Sequence, residues 1–297
     1  MNSISEATTK FALDFFKVLN KDHPSDNIIY SPLSISAALG MVLLGARGNT
    51  ATQIEKVATL CYLKVPDNQC DIPGGIHSQF HDIISAINKP TASYELAIAN
   101  RLYGEKTFNF LQTTSIPVQM MYHKGEYKIA TIEEHNCQVL ELPYKDGDLS
   151  MYILLPKDYT GLTQLEKELT YEKLTTWISP YYMKEDEVEV SLPQFKIETE
   201  AQLNQYLEAL GITDVFNHES DLSGIAKAGG LSVSGAVHKA YIEVNEEGTE
   251  AAAATGIGIG VTSVRPQVEF VADHPFLFII RHQKTESILF YGRFSSP

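Results

Sequence analysis

Cysteine is scarce, with Cys61, Cys70 and Cys137 the only three in 297 residues. A small, odd set gives no disulfide framework and fits a reducing compartment better than an oxidising one. Basic charge is also in deficit. Lys and Arg number 23 against 37 Asp and Glu, a formal net charge of -14, and no basic patch is present to meet phosphates. Nucleic acid is therefore not an expected partner. No apolar run approaches the roughly 18 residues of a membrane span, so no membrane association is expected. The N-terminal stretch "MNSISEATTKFALDFFKVLNK" lacks the basic start and uninterrupted apolar run of a signal peptide. The reading is cytoplasmic, with unconventional release to the extracellular space as a variant of it.

Catalytic and cofactor motifs are missing too. There is no G-x-S-x-G elbow, no H-E-x-x-H helix and no clustered Cys/His signature, so an enzyme is not expected. "GIGIG" (256–260) lacks the Lys of a phosphate loop. His77 and His81 stand at i, i+4 on an expected helix, without a Glu or third ligand, and read as a solvated face rather than a metal site. Neither a metal nor a cofactor is expected.

What the chain does have is core-forming material, 44% hydrophobic and 20% charged. Its first third reads as helical. Phe11, Phe15 and Val18/Leu19 mark one helix face, and Ser31-Pro32 opens a buried helix. Thr50 is placed to cap a third helix, and a fourth is expected over about 76–88. Alternation in 94–106 (Leu96, Ile98, Leu102) reads as a strand. Strands dominate after Val118. "CQVLELPY" and "LSMYILLP" flank a Lys145-Asp146-Gly147 turn, a hairpin signal. Short helices are expected near 161–169, 171–178 and 200–210, and strand patterns close the chain. Helices first and strands later, without strict alternation, give an α+β class. No internal repeat or linker divides residues 1–297, which read as a single domain.

One segment commits to no structure. In "EEGTEAAAATGIGIGVTS" (246–263) an alanine run passes into alternating glycines, which no helix favours. Read as a strand, one face carries Thr249, Ala251, Ala253, Thr255, Ile257, Ile259 and Val261, and the other is nearly bare. Small side chains let such a strand enter a crowded sheet. The glycines make it costly to order, so an exposed loop or a plain linker is equally compatible.

The flanks of that segment carry a resemblance. "SGAVHKAYIEVNEEGTEAAAATG" resembles the hinge of an inhibitory serpin, "HPFLFIIRHQKTESILFYGRFSSP" the serpin C-terminal signature, and "NIIYSPLSISAALGMVLLGARGNTATQIEKV" the helix B and C region. "MNSISEA" and "GRFSSP" are similar to clade B, the ovalbumin-type intracellular serpins, and within it to the squamous cell carcinoma antigen group. The resemblance implies a serpin fold of N-terminal helices, three β-sheets and an exposed reactive-centre loop. It implies a protease inhibitor whose loop is bait and, once cut, inserts into sheet A as a strand.

Residue by residue, Glu246, Gly248, Thr249, Glu250 and Ala251, Ala252, Ala253 and Ala254 match the family's loop hinge. Counting from Gly248 places the reactive bond at Thr262-Ser263, within a residue or two. A Thr there points away from trypsin-like targets, towards serine proteases that accept small or mid-sized residues or towards papain-like cysteine proteases. Arg265 is a poorer position, because Pro266 follows it. Ser31, Ser34 and His238 match the shutter, the polar network beneath sheet A; buried polar groups in any fold also need such partners. The helix over 76–88 lacks the basic cluster of glycosaminoglycan-activated members, so no heparin is expected. The expected state is a monomer.

The chain departs from the family in one block. "ANRLYGEKTFNFLQ" resembles strand 2A running into helix E, and "TTSIPVQMMYHKG" a position far downstream. Between Gln112 and Thr113, most of helix E, strand 1A, helix F, strand 3A and strand 4C are expected to be missing. The loop would then lack one of the strands it inserts between. Strand 5A, over about 236–245, would have an unpaired edge, and loss of helix F would bare apolar surface. The alternative to an inhibitor is therefore a splice-like variant whose loop is cleaved as substrate or fills the vacant strand position, without trapping protease. Polymerisation through the free edge is the corresponding alternative to a monomer.

Overall fold

A computed structural model describes residues 3–58, 76–87, 118–144, 147–225, 230–245 and 268–297. The chain opens with α1 (Ser3–Asp22), whose Phe11, Phe15 and Leu19 are buried on the face that the spacing picks out. Strand β1 (Ile28–Tyr30) follows, then α2 (Pro32–Gly45). Pro32 takes the first helical position, where a missing N–H costs nothing, and Ser31 caps the helix by accepting the Ser34 backbone N–H at 3.2 Å. Helix α2 is apolar on every side, yet Met41 and Leu44 are exposed among the described residues.

Thr50 does not cap α3. That helix runs Gly48–Val57 and starts two residues earlier, at a glycine with φ of +54°, a left-handed value that glycine takes without strain. Thr50 lies inside it, and its buried hydroxyl instead accepts the Asp221 backbone N–H at 3.0 Å. Helix α4 covers Ile76–Ile87. The expected strand over 94–106 and the junction at 112 and 113 lie outside the described residues.

Strands then follow: β2 (Met120–Ile132), β3 (Cys137–Pro143) and β4 (Leu149–Pro156). β3 and β4 pair antiparallel from Cys137↔Pro156 to Pro143↔Ser150, the expected hairpin, and Gly147 turns it at φ +72°. Lys145 and Asp146 lie outside the described residues. After α5 (Leu162–Glu168) and α6 (Tyr171–Trp177) come β5 (Lys184–Pro193), β6 (Phe195–Gln202) and α7 (Asn204–Leu210). Residues 200–202, expected as helix, end β6 instead. The closing strands are β7 (Val237–Val244), β8 (Val268–Val271), β9 (Phe276–His282) and β10 (Ser287–Phe294).

Among the described residues these strands make two sheets, not three. One has eight strands in the order β1-β10-β9-β4-β3-β2-β5-β8; the other is the antiparallel pair β6-β7. The larger sheet stays continuous because β2 is long: Met120 to Ile129 pair with β5, and Lys128 to Ile132 pair with β3 on the other side. The central strands β4 and β9 are buried at every position, as their unbroken apolar runs require. Helices α1 and α2 cover one face of the larger sheet, packing on β10 through Phe16, Leu33 and Tyr291. Phe195, Ile197, Ala240, Ile242 and Val244 of the β6-β7 pair join a second core with Phe276, Phe278 and Phe294.

The outer face of β6-β7 is charged, not apolar. Alternation points Lys196, Glu198 and Glu200 outward on β6, and Lys239, Tyr241 and Glu243 on β7. Lys239 bonds Glu198 and lies 3.8 Å from Glu200, directly opposite in the register, while Lys196 sits over the Tyr241 ring at 5.1 Å. On these two strands the cross-strand ion pairs furnish a solvated face.

Candidate functional site

The segment that commits to no structure leaves β7 and re-enters the fold at β8. These strands belong to different sheets: β7 pairs only with β6 among the described residues, whereas β8 pairs in parallel with β5, from Val188↔Val268 to Ser191↔Val271. The Ala272 N–H extends that ladder to the Ser191 carbonyl at 2.9 Å. The loop thus joins two sheets and is anchored on a strand at each end. Glu246, Gly248, Thr249, Glu250, Ala251 to Ala254, Thr262 and Ser263 lie outside the described residues.

Ser31, Ser34 and His238 are brought together. His238, near the start of β7, is buried, and its Nε2 accepts the Ser31 backbone N–H at 2.9 Å. The Ser31 hydroxyl in turn accepts from Ser34, so one short network ties the start of α2 to β7 across 207 residues of chain. Burial pushes the His238 imidazole down to about 4, keeping it neutral at neutral pH. With Nε2 accepting, the ring proton sits on Nδ1, which is buried and has no partner among the described residues. A second link between the sheets is legible only in three dimensions: the Ile29 N–H of β1 donates to Thr199 Oγ1 of β6 at 3.1 Å.

The sequence also gave no sign of the ion pair beneath α1. Arg293, 1% exposed, holds Glu166 at 3.0 Å and donates to Asn20 Oδ1 and to the backbone carbonyls of His23 and Asp26. Burial raises the Glu166 carboxyl above its usual range, against the pull of the Arg293 charge. The Arg sits in "GRF", and nothing local marks its partner 127 positions away. Cys137 is a free, buried thiol pushed up to about 12 by burial. No group of three metal-ligating side chains occurs among the described residues. His81 is exposed beside Ser85, and the His77 side chain lies outside the description. No helix among the described residues is long and apolar enough to cross a membrane.

A family model described as Serpin (serine protease inhibitor) matches residues 6–113 and 105–297. The chain belongs to the serpin family. Human Serpin B3 is 39% identical over 393 aligned positions covering all of both chains, and human leukocyte elastase inhibitor is 39% identical over 389. Emu (Dromaius novaehollandiae) ovalbumin is 36% identical, again over all of both chains. These relatives place the chain in clade B, the ovalbumin-type serpins. The fold agrees: uncleaved ovalbumin superposes with a TM-score of 0.82 at 32% identity, covering 99% of this chain and 100% of that one. A cleaved, loop-inserted ovalbumin mutant superposes with 0.84 at 31% identity, with the same coverage. As a serpin the chain is a homologue of protease inhibitors and not an enzyme. Against Serpin B3, 96 of the 393 aligned positions carry no residue of this 297-residue chain.

Proposed function

We propose that this serpin presents residues 246–267 as bait to an endopeptidase, as a serpin-type inhibitor does, with Thr262-Ser263 as the reactive bond. The observation that carries the reading is the loop's attachment: it joins β7 of the small sheet to β8 of the large one, and both ends are held in ladders. A segment whose flanking strands are both held in ladders can be offered to a protease cleft as an extended strand. Thr262 suits serine proteases with a medium-sized specificity pocket, and Val261 suits papain-like cysteine proteases, which read mainly the residue one position before it, preceding Thr262. Glu246, Gly248, Thr249 and the alanines to Ala254 are the hinge about which the cut loop would move, and Ser31, Ser34 and His238 the shutter. The protein is proposed to act in the cytoplasm as a monomer, without heparin.

A second reading has its own observation, the 96 aligned positions that carry no residue. The family model matches in two pieces that meet at residues 105–113, which supports one block lost after Gln112. If that block held helix F and strands 1A, 3A and 4C, β7 would lack the neighbour between which and itself the loop inserts. The loop would then be cut as a substrate without holding the protease. Incubation with elastase-like, chymotrypsin-like and papain-like proteases, followed by denaturing gels, separates the two. A protein-sized shift that survives denaturation shows trapping, and loss of a small C-terminal fragment alone shows bait without trap. An uncut chain, with every protease active on a control substrate, would refute both.

A further inference from the structure

The C-terminal base of the loop is held by a cluster to which neither the shutter nor the hinge contributes. After β8 the chain turns through Asp273, His274 and Pro275 before entering the buried strand β9. Pro275 favours an extended His274 backbone and offers no N–H of its own, so the turn depends on side chains. His274 Nδ1 lies 2.8 Å from Asp273 Oδ1, and its Nε2 lies 2.5 Å from the Pro156 carbonyl oxygen at the end of β4. Its side chain is 8% exposed, and the ring packs on Tyr159 with centroids 4.6 Å apart. Tyr159 closes the cluster by donating to Asp273 Oδ2 at 3.0 Å.

Both ring nitrogens therefore face acceptors. A carbonyl oxygen cannot donate, and an ionised carboxylate cannot either, while neutral imidazole has one N–H. Only the doubly protonated ring makes both bonds at once. Burial would push the Asp273 carboxyl up, but the His274 and Tyr159 hydrogen bonds, with the His274 charge, hold it below its usual range and keep it an acceptor. The other groups facing the ring come from the turn after β4: Asp158, kept below its usual range chiefly by hydrogen bonds from Thr160 and also by the His274 charge, and Tyr159 itself. Lys157, at the start of that turn, is tied through its backbone N–H to the Asn136 carbonyl at 2.7 Å.

We propose that Asp273, His274 and Tyr159 are positioning residues that clamp the C-terminal base of the bait loop to the end of β4. Loss of either His274 bond frees the β8 end to shift. The link from clamp to bait rests on the loop reading given above; the clamp itself rests on geometry alone.

Two readouts on the full chain separate the clamp from that reading. The first is amide hydrogen exchange across Val268–Phe276 in wild type, His274→Gln, Asp273→Asn and Tyr159→Phe. Protection should fall about tenfold in His274→Gln, the size of one charge-assisted bond, and by less in Asp273→Asn and Tyr159→Phe. Equal protection in wild type and all three variants overturns the clamp whether or not the loop is ever cut. The second is kcat/KM for cleavage near Thr262, divided by that for a synthetic peptide of residues 255–267. The ratio should differ between wild type and His274→Gln. An unchanged ratio overturns the positioning role, and no cleavage within 246–267 overturns the bait reading while leaving the exchange result to decide the clamp.

Discussion

Acidification should weaken the fold through His238, by an amount that follows from its burial. The ring is held neutral down to about 4 in the folded chain, whereas an unfolded His titrates near its ordinary value of 6.5. A depressed folded value means the unfolded chain binds the extra proton first. The contribution to stability is therefore complete above about 6.5 and is lost as pH falls towards 4. At about 1.4 kcal/mol per unit, the ceiling is about 3 kcal/mol, a large share of a typical domain's stability. Urea unfolding at pH 7.5, 6.5, 5.5 and 4.5 measures it, with His238→Gln run in parallel. Gln keeps an acceptor for the Ser31 N–H but does not titrate in this range. The wild type should lose about 2–3 kcal/mol more than the variant between pH 7 and 4.5. Parallel curves within about 0.5 kcal/mol would refute the assignment of a buried, neutral ring to this site.

Three further outcomes follow from the packing. Arg293→Met leaves Glu166 buried without its partner and should cost about 3–5 kcal/mol in urea unfolding at pH 7, with part recovered at pH 5 as the already raised carboxyl takes up a proton. A cost below about 1 kcal/mol would show that the pair contributes little. Gly292→Ala would place a Cβ 2.3 Å from Phe278 Cζ and 2.7 Å from the Ile28 carbonyl oxygen, so thermal unfolding should show a loss of about 1–3 kcal/mol; an unchanged midpoint contradicts the close approach. Cys137, with its thiol raised to about 12, should react with a thiol reagent at pH 8 only after denaturant is added, in a variant where Cys61 and Cys70 are both Ser. Rapid labelling of the folded variant would show that β3 is accessible.

What the sequence made legible is what repeats within a few residues. The α1 face, the Ser31-Pro32 helix start, the β3-β4 hairpin and the buried runs of β4 and β9 all follow from local period and turn chemistry. What it hid is set by partners far away. Thr50 looks like a cap in "GNTATQ", but an N–H from Asp221 claims its hydroxyl, and the glycine before it starts the helix. The join of two sheets into eight strands depends on where one long strand, β2, exchanges β5 for β3, and alternation in β2 alone does not show that. Family resemblance drew attention to Ser31, Ser34 and His238, yet missed His274, whose neighbours Pro156 and Tyr159 lie on another turn. The charged face of β6-β7 was readable in "KIETE" and "HKAYIEV" once their partnership was known; the pairing of Glu200 with Lys239 was not.

The bait role of residues 246–267, with the reactive bond at Thr262-Ser263, can be tested directly. The most direct measurement is mass spectrometry of the C-terminal fragment released by an elastase-like protease from wild type and from Thr262→Arg, with trypsin run alongside. The wild-type fragment should begin at Ser263 or within a residue or two of it, and Thr262→Arg should gain trypsin cleavage at position 262. Cleavage confined to sites outside 246–267, with Thr262→Arg giving trypsin no new cut, would contradict the bait role.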